Sequence, residues 1–107
     1  MLTREARRVL NSSALLISPM VAVELQYLNE IRRVRLGAKE ILDKLSREIG
    51  LAVCSWPFQD VAFTALGETW TRDPFDRTIV AHAKSNGVSP LITSDEKIRT
   101  HYINAIW

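Results

Sequence analysis

The chain has 107 residues, of which 47% are hydrophobic and 24% charged, with a formal net charge of +2. That is enough for one small globular core, and it excludes a disordered or low-complexity chain. A single cysteine, Cys54, excludes an internal disulfide framework and a cysteine-based zinc site, and so weak a positive charge does not by itself argue for nucleic acid. No apolar run approaches the roughly 20 residues of a membrane span, and the arginine-rich start lacks the apolar region of a signal peptide. Cytoplasmic residence is therefore expected.

In chain order, residues 3 to 11 read as a helix for which Thr3 is a candidate cap. Ala14-Leu15-Leu16-Ile17-Ser18 is an apolar run of strand length. Ser18-Pro19 opens a helix to about Val34, with a capping residue followed by proline at the first position. After Gly37, Ala38 to Ile49 forms a further helix that Gly50 ends. Leu51 to Trp56 reads as a strand closed by Pro57, and Phe58 to Leu66 as a helix. Asp73 caps a helix running to about Ser85, where Asn86-Gly87 stops it. Pro90 to Thr93 is a third strand, Ser94-Asp95-Glu96 opens a short helix, and Ile103 to Trp107 is expected as a last edge strand. Short apolar strands separated by helices indicate an α/β domain with a mostly parallel sheet, whose function sits at the carboxyl ends of the strands.

Three acids stand where the chain leaves the sheet and enters a helix. Glu24 falls inside the apolar arc of Val21, Leu25, Leu28 and Ile31, where an acid without a partner is uncommon. Asp76 shares a face with Ile79, Val80 and Ala83, and Asp95 ends the run Leu91-Ile92-Thr93-Ser94-Asp95. Each has a plain alternative. Asp76 and Asp95 suit helix first turns through the dipole, and Glu24 at the edge of its arc reaches solvent. Converging carboxylates without Cys or His partners suit hard cations, Mg²⁺ or Mn²⁺, which activate water and offset charge on a phosphodiester.

The strings Ser18…Glu24-Leu25, Asp73-Pro74-Phe75-Asp76-Arg77-Thr78-Ile79-Val80-Ala81-His82-Ala83 and Leu91-Ile92-Thr93-Ser94-Asp95 resemble the PIN-domain ribonucleases found as toxins in VapBC toxin–antitoxin pairs. Asp-Pro-Phe-Asp-Arg is fairly specific to one subgroup, which the terminal Trp107 also resembles. The resemblance covers essentially the whole chain and implies a three-layer α/β/α domain over residues 1–107 with a mostly parallel central sheet. It implies a hydrolase acting on RNA, with Glu24, Asp76 and Asp95 as catalytic acids holding Mg²⁺ or Mn²⁺, a cognate antitoxin as partner, and homodimerisation. Thr93, Asp73 and Arg77 are candidates for supporting the metal or contacting phosphate; a buried strand threonine, a helix cap and an ion pair explain them too. By the same resemblance the first strand and its Asp are missing. That opens a second reading, a non-catalytic remnant that binds an antitoxin or self-associates. A third reading, an unrelated Mg²⁺-dependent phosphohydrolase, ranks last.

His82 reads as a surface or helix-packing residue rather than a general base. Arg32, Arg33, Arg35 and Lys39 form either a solvated helix end or a phosphate-contacting cluster. Trp56, Trp70 and Trp107 read as core or interface residues, and Cys54 as a small buried hydrophobe.

Overall fold

A computed structural model describes residues 3–107. The chain divides into two compact units, a terminal unit of Met1–Ser13 with Trp56–Trp107 and a central unit of Ala14–Ser55. In chain order the elements are α1 (Arg4–Ser12), β1 (Leu16–Ile17), α2 (Pro19–Glu30), α3 (Ala38–Ile49), β2 (Ala52–Val53), α4 (Phe58–Ala65), α5 (Pro74–Ser85), β3 (Leu91–Ile92), α6 (Glu96–His101) and β4 (Ala105–Ile106).

The expected single central sheet is not what the described residues form. They build two parallel two-stranded sheets, one in each unit. In the central unit Leu16 pairs with Ala52 and Ile17 with Val53. In the terminal unit Leu91 pairs with Ala105 and Ile92 with Ile106. Every strand is two residues long, far shorter than the apolar runs that contain them, so the backbone pairing ends before the hydrophobic pattern does.

The terminal unit has a packed core. Val80 and Ala83 of α5 meet Ile98 of α6 and Tyr102, and Trp70, Leu91 and Ala105 pack around them. Full burial of a large apolar side chain contributes roughly 1.5–3 kcal/mol, and Val61, Val80 and Tyr102 are sealed from solvent here. The Tyr102 hydroxyl, which burial would otherwise penalise, donates to the Ser89 carbonyl at 2.6 Å. Polar contacts tie the remaining pieces down. Thr3 caps α1 through its hydroxyl oxygen and also bonds the Trp107 carbonyl, bringing the two ends of the unit together. Glu68, buried after α4, accepts from Lys84 of α5 at 2.7 Å. Thr64 of α4 bonds Ser85 of α5 at 3.3 Å.

The central unit is built differently. Its only buried residues are Ser18 and Ala38, both small. Leu16 of β1 is 51% exposed and Val53 of β2 is 49% exposed, although parallel sheets are ordinarily covered on both faces. An open surface cleft lies between α3 and the sheet, lined by Ile17, Leu42, Asp43, Ser46, Leu51, Ala52 and Val53.

Helix α2 stops at Glu30, short of the expected Val34, and the reason is a C-terminal cap. Arg32 takes a left-handed φ of 63°. Its N–H bonds the Asn29 carbonyl at 3.0 Å, and the Arg33 N–H bonds the Leu28 carbonyl at 2.8 Å. This is the paired-bond pattern in which glycine usually stands at the left-handed position. The Asn29 side-chain amide then donates to the carbonyls of Val34 and Arg35, at 3.1 and 3.2 Å, holding the loop back over the helix end.

Candidate functional site

Two of the expected metal-holding acids, Asp76 and Asp95, lie in the terminal unit, where α5 and α6 open on turns of the same local design. At the start of α5, the Asp73 N–H donates to Thr71 Oγ1 at 3.2 Å, and Asp73 Oδ1 accepts from the Phe75 N–H at 2.8 Å. At the start of α6, the Asp95 N–H donates to Thr93 Oγ1 at 3.1 Å. Asp95 Oδ1 accepts from the N–H groups of Lys97 and Ile98, at 2.9 and 3.0 Å. In both places Thr-x-Asp shapes the turn and the aspartate caps the helix, satisfying amides that have no partner within it. The α6 cap is therefore Asp95.

Asp76 is half-buried on the first turn of α5. Burial raises its carboxyl above the ordinary value of 3.8, the charges of Asp73 and Asp95 raise it further, and Lys97 opposes them. Asp73, Asp76 and Asp95 thus share one electrostatic field, and a lysine already supplies positive charge within it. Arg77, expected near phosphate, donates from Nε to the Thr71 carbonyl at 2.8 Å and braces the loop that leads into α5. Thr93 is half-buried, with its hydroxyl oxygen engaged by the Asp95 N–H.

Glu24 belongs to the central unit. It is half-buried on α2 and has an interaction partner of its own. Ile31, expected on the inward arc beside it, is 45% exposed, so Glu24 lies nearer the edge of that arc than its middle.

The expectation of bound Mg²⁺ or Mn²⁺ is corrected by this geometry. Among the described residues, no group of three or more His, Cys, Asp or Glu side chains could hold a metal ion. The physical reason is visible in the two loops. Asp73 and Asp95 each use a carboxylate oxygen to cap a helix, and Lys97 offsets charge at Asp76 where a divalent cation would be required to do so.

His82 is buried within the terminal unit. Burial pushes its imidazole below the ordinary 6.5, opposed by a hydrogen bond with the Thr78 backbone. An imidazole kept neutral inside a helix packing face is a packing group. Trp70 stacks on His101 with ring centroids 5.0 Å apart.

Away from these acids, the surface carries exposed apolar side chains on α2 and α4. On α2, Val23, Tyr27 and Ile31 recur every fourth residue and are 57%, 52% and 45% exposed. Val21, Leu25 and Leu28 point the other way and are half-buried, so this helix is apolar on two faces. The outward stripe runs into the exposed Arg32, Arg33 and Arg35. On α4, Phe58, Phe63 and Leu66 are 58%, 63% and 68% exposed. The spacing of Val23, Tyr27 and Ile31 was available in the sequence as a second apolar arc. The Glu68–Lys84 pair, sixteen residues apart, had no such signal.

A family model described as PIN domain matches residues 2–103. No curated protein and no solved structure gives a significant match.

Proposed function

The chain belongs to the PIN-domain family, and on that premise we propose that it is a non-catalytic member that binds another protein. Its central unit docks an amphipathic, acidic helix of the partner on α2, the role the sequence resemblance assigns to an antitoxin. The observation that carries this reading is the contrast within α2, a helix with apolar residues on both faces in a unit that buries no large side chain. Such a surface gains most from a partner that covers Val23, Tyr27 and Ile31. Arg32, Arg33 and Arg35 at the end of the stripe select the charge of that partner, because acids flanking an apolar seam pair with them. Hydrolysis of RNA through a carboxylate-held ion, which the same resemblance implies, finds no donor set among the described residues.

Two assays test this. The chain incubated with RNA and Mg²⁺ or Mn²⁺ is expected to leave the RNA intact. Cleavage that disappears in Asp76→Asn would overturn the non-catalytic reading. Fluorescence anisotropy with a synthetic amphipathic helix of about 20 residues, leucine on one face and glutamate on its flanks, is expected to show binding. A lysine-flanked helix should bind at least about tenfold more weakly, and Tyr27→Glu should abolish binding of either. Equal affinity for the two peptides would sink the assignment of an acidic partner.

A further inference from the structure

Helix α1 of the terminal unit carries a charged face that the partner-binding reading does not use. Arg4, Arg7 and Arg8 are exposed, whereas Ala6 is buried and Val9 and Leu10 are half-buried on the opposite side. At 3.6 residues per turn the three arginines and the exposed Asn11 fall within an arc of about 100°. Glu5 lies outside that arc, and among the described residues no ion pair reaches any of the three guanidinium groups. Helix electrostatics do not account for this placement. Arg4 and Arg7 stand in the first turn, where the dipole disfavours cations, and Arg4 and Arg8 are like charges one turn apart. The last turn, where the dipole would favour them, holds no basic residue.

We propose that this arginine face binds a compact phosphate chain, two or three linked phosphates of the kind found in polyphosphate or a nucleotide tail. Guanidinium forks match phosphate oxygens in pairs, and the Asn11 amide adds a neutral donor beside them. The end of the helix backbone is already satisfied, since the Ala6 N–H donates to Thr3 Oγ1 at 3.2 Å. The site is therefore made of side chains. Arg4 and Arg8 lie about 6 Å apart along the axis, so a ligand that engages all three arginines brings several negative charges within one turn. Two observations select a short chain over a larger polyanion. The rest of the terminal unit, residues 56–107, holds five lysines and arginines against six acids, so a long nucleic acid would meet a net negative remainder. The face also exposes no apolar residue, unlike α2, where Val23, Tyr27 and Ile31 lead into Arg32, Arg33 and Arg35. An amphipathic acidic helix would bury no apolar seam against α1, so the two basic clusters take different ligands.

Calorimetric titration of the full chain with inorganic triphosphate, at low salt and without divalent cations, tests this. Saturable binding is expected with a Kd below about 1 mM, weakening as salt is raised. Arg4→Gln, Arg7→Gln and Arg8→Gln combined should weaken it at least about tenfold. That variant should keep its helical circular dichroism, since all three side chains are exposed. Arg7→Lys with Arg8→Lys keeps the charge, removes two forks and should weaken binding by a smaller factor. Adenosine triphosphate binding as tightly as inorganic triphosphate would show that the phosphates alone are read, and tighter binding would identify a nucleotide as the source. No saturable binding in that range overturns the proposal. So does binding that the combined glutamine variant leaves unchanged, or that is lost instead on changing Arg32, Arg33 and Arg35 to glutamine. A single-stranded oligonucleotide of about 10 residues that binds α1 more tightly than triphosphate would overturn the assignment of a short chain. The α1 variant should not alter binding of the acidic peptide, and Tyr27→Glu should not alter binding of triphosphate. Failure here is thereby separated from failure of the partner-binding reading.

Discussion

The two units solve the same problem with unequal success. In the terminal unit Val61, Val80 and Tyr102 are sealed from solvent, and a buried carboxylate is paired with a lysine. In the central unit the buried residues are a serine and an alanine, and the strand residues Leu16 and Val53 are about half exposed. The hydrophobic content of the two stretches does not explain this, since α2 and α3 carry leucine, isoleucine and valine in ordinary number. The difference lies in where those residues point. A helix with apolar residues on two faces buries only one of them inside a small unit, and the other stays exposed. If α2 docks a partner as proposed, the central unit is expected to have low intrinsic stability on its own, because binding makes up the shortfall.

The sharpest way to break the comparison is to damage each core and measure the cost by chemical denaturation. Tyr102→Ala should destabilise the terminal unit by about 3–5 kcal/mol, the range for deleting a fully buried aromatic. Leu25→Ala, in the half-buried arc of α2, should cost about 1 kcal/mol. Equal losses would mean that the central unit is packed as tightly as its neighbour. Lys84→Met leaves the buried Glu68 without its cation and should cost about 2 kcal/mol, discounted because Lys84 is 38% exposed.

Smaller effects sharpen the picture. Among the described residues, each unit holds one non-glycine residue in the left-handed region, Arg32 at φ 63° and Val88 at φ 53°. Arg32→Gly and Val88→Gly should each stabilise the fold by about 1 kcal/mol in thermal melts. Arg32→Gly should at the same time weaken binding of the acidic peptide, separating the backbone role of this residue from its charge.

The smallest effects concern pH, and the two shifted groups act in opposite directions. The raised carboxyl of Asp76 favours the fold when protonated, so that contribution is present below pH 3.8 and is lost as pH rises through the folded value. Asp76→Asn should therefore stabilise the chain at neutral pH, with the gain vanishing in strong acid. The lowered imidazole of His82 favours the fold when neutral. Its contribution is present above pH 6.5 and is lost as pH falls through the folded value. Melting temperatures of the wild type and Asp76→Asn across this range would check both signs, and an Asp76→Asn chain less stable at neutral pH would contradict the first.

Much of the fold was legible in the sequence. Thr3, Ser18 and Asp73 announced their helices and do cap them, and Gly50 and Gly87 mark stops at left-handed φ values of 69° and 72°. Each strand falls inside its expected apolar run. Strand length was not legible, because apolar content fixes where a strand can lie and not how many residues find a hydrogen-bonding neighbour. Among the acids, the sequence left Asp76 and Asp95 open between a capping and a site role. The structure gives Asp95 a capping role and Asp76 a carboxyl raised by burial and by its acidic neighbours. Convergence is a property of three-dimensional placement, so spacing along the chain was not able to decide it. The outward stripe of α2 was legible too, in the four-residue spacing of Val23, Tyr27 and Ile31.

The central claim is that the unit spanning Ala14–Ser55 is the less stable, partner-seeking half of the molecule. Amide hydrogen exchange on the full chain tests it most directly. The account predicts that amides in the middle of α2 and α3 exchange well before those of Val80 to Ala83 in α5, and that the acidic peptide slows α2 selectively. Protection in α2 and α3 equal to that in α5, and unchanged by the peptide, would contradict it.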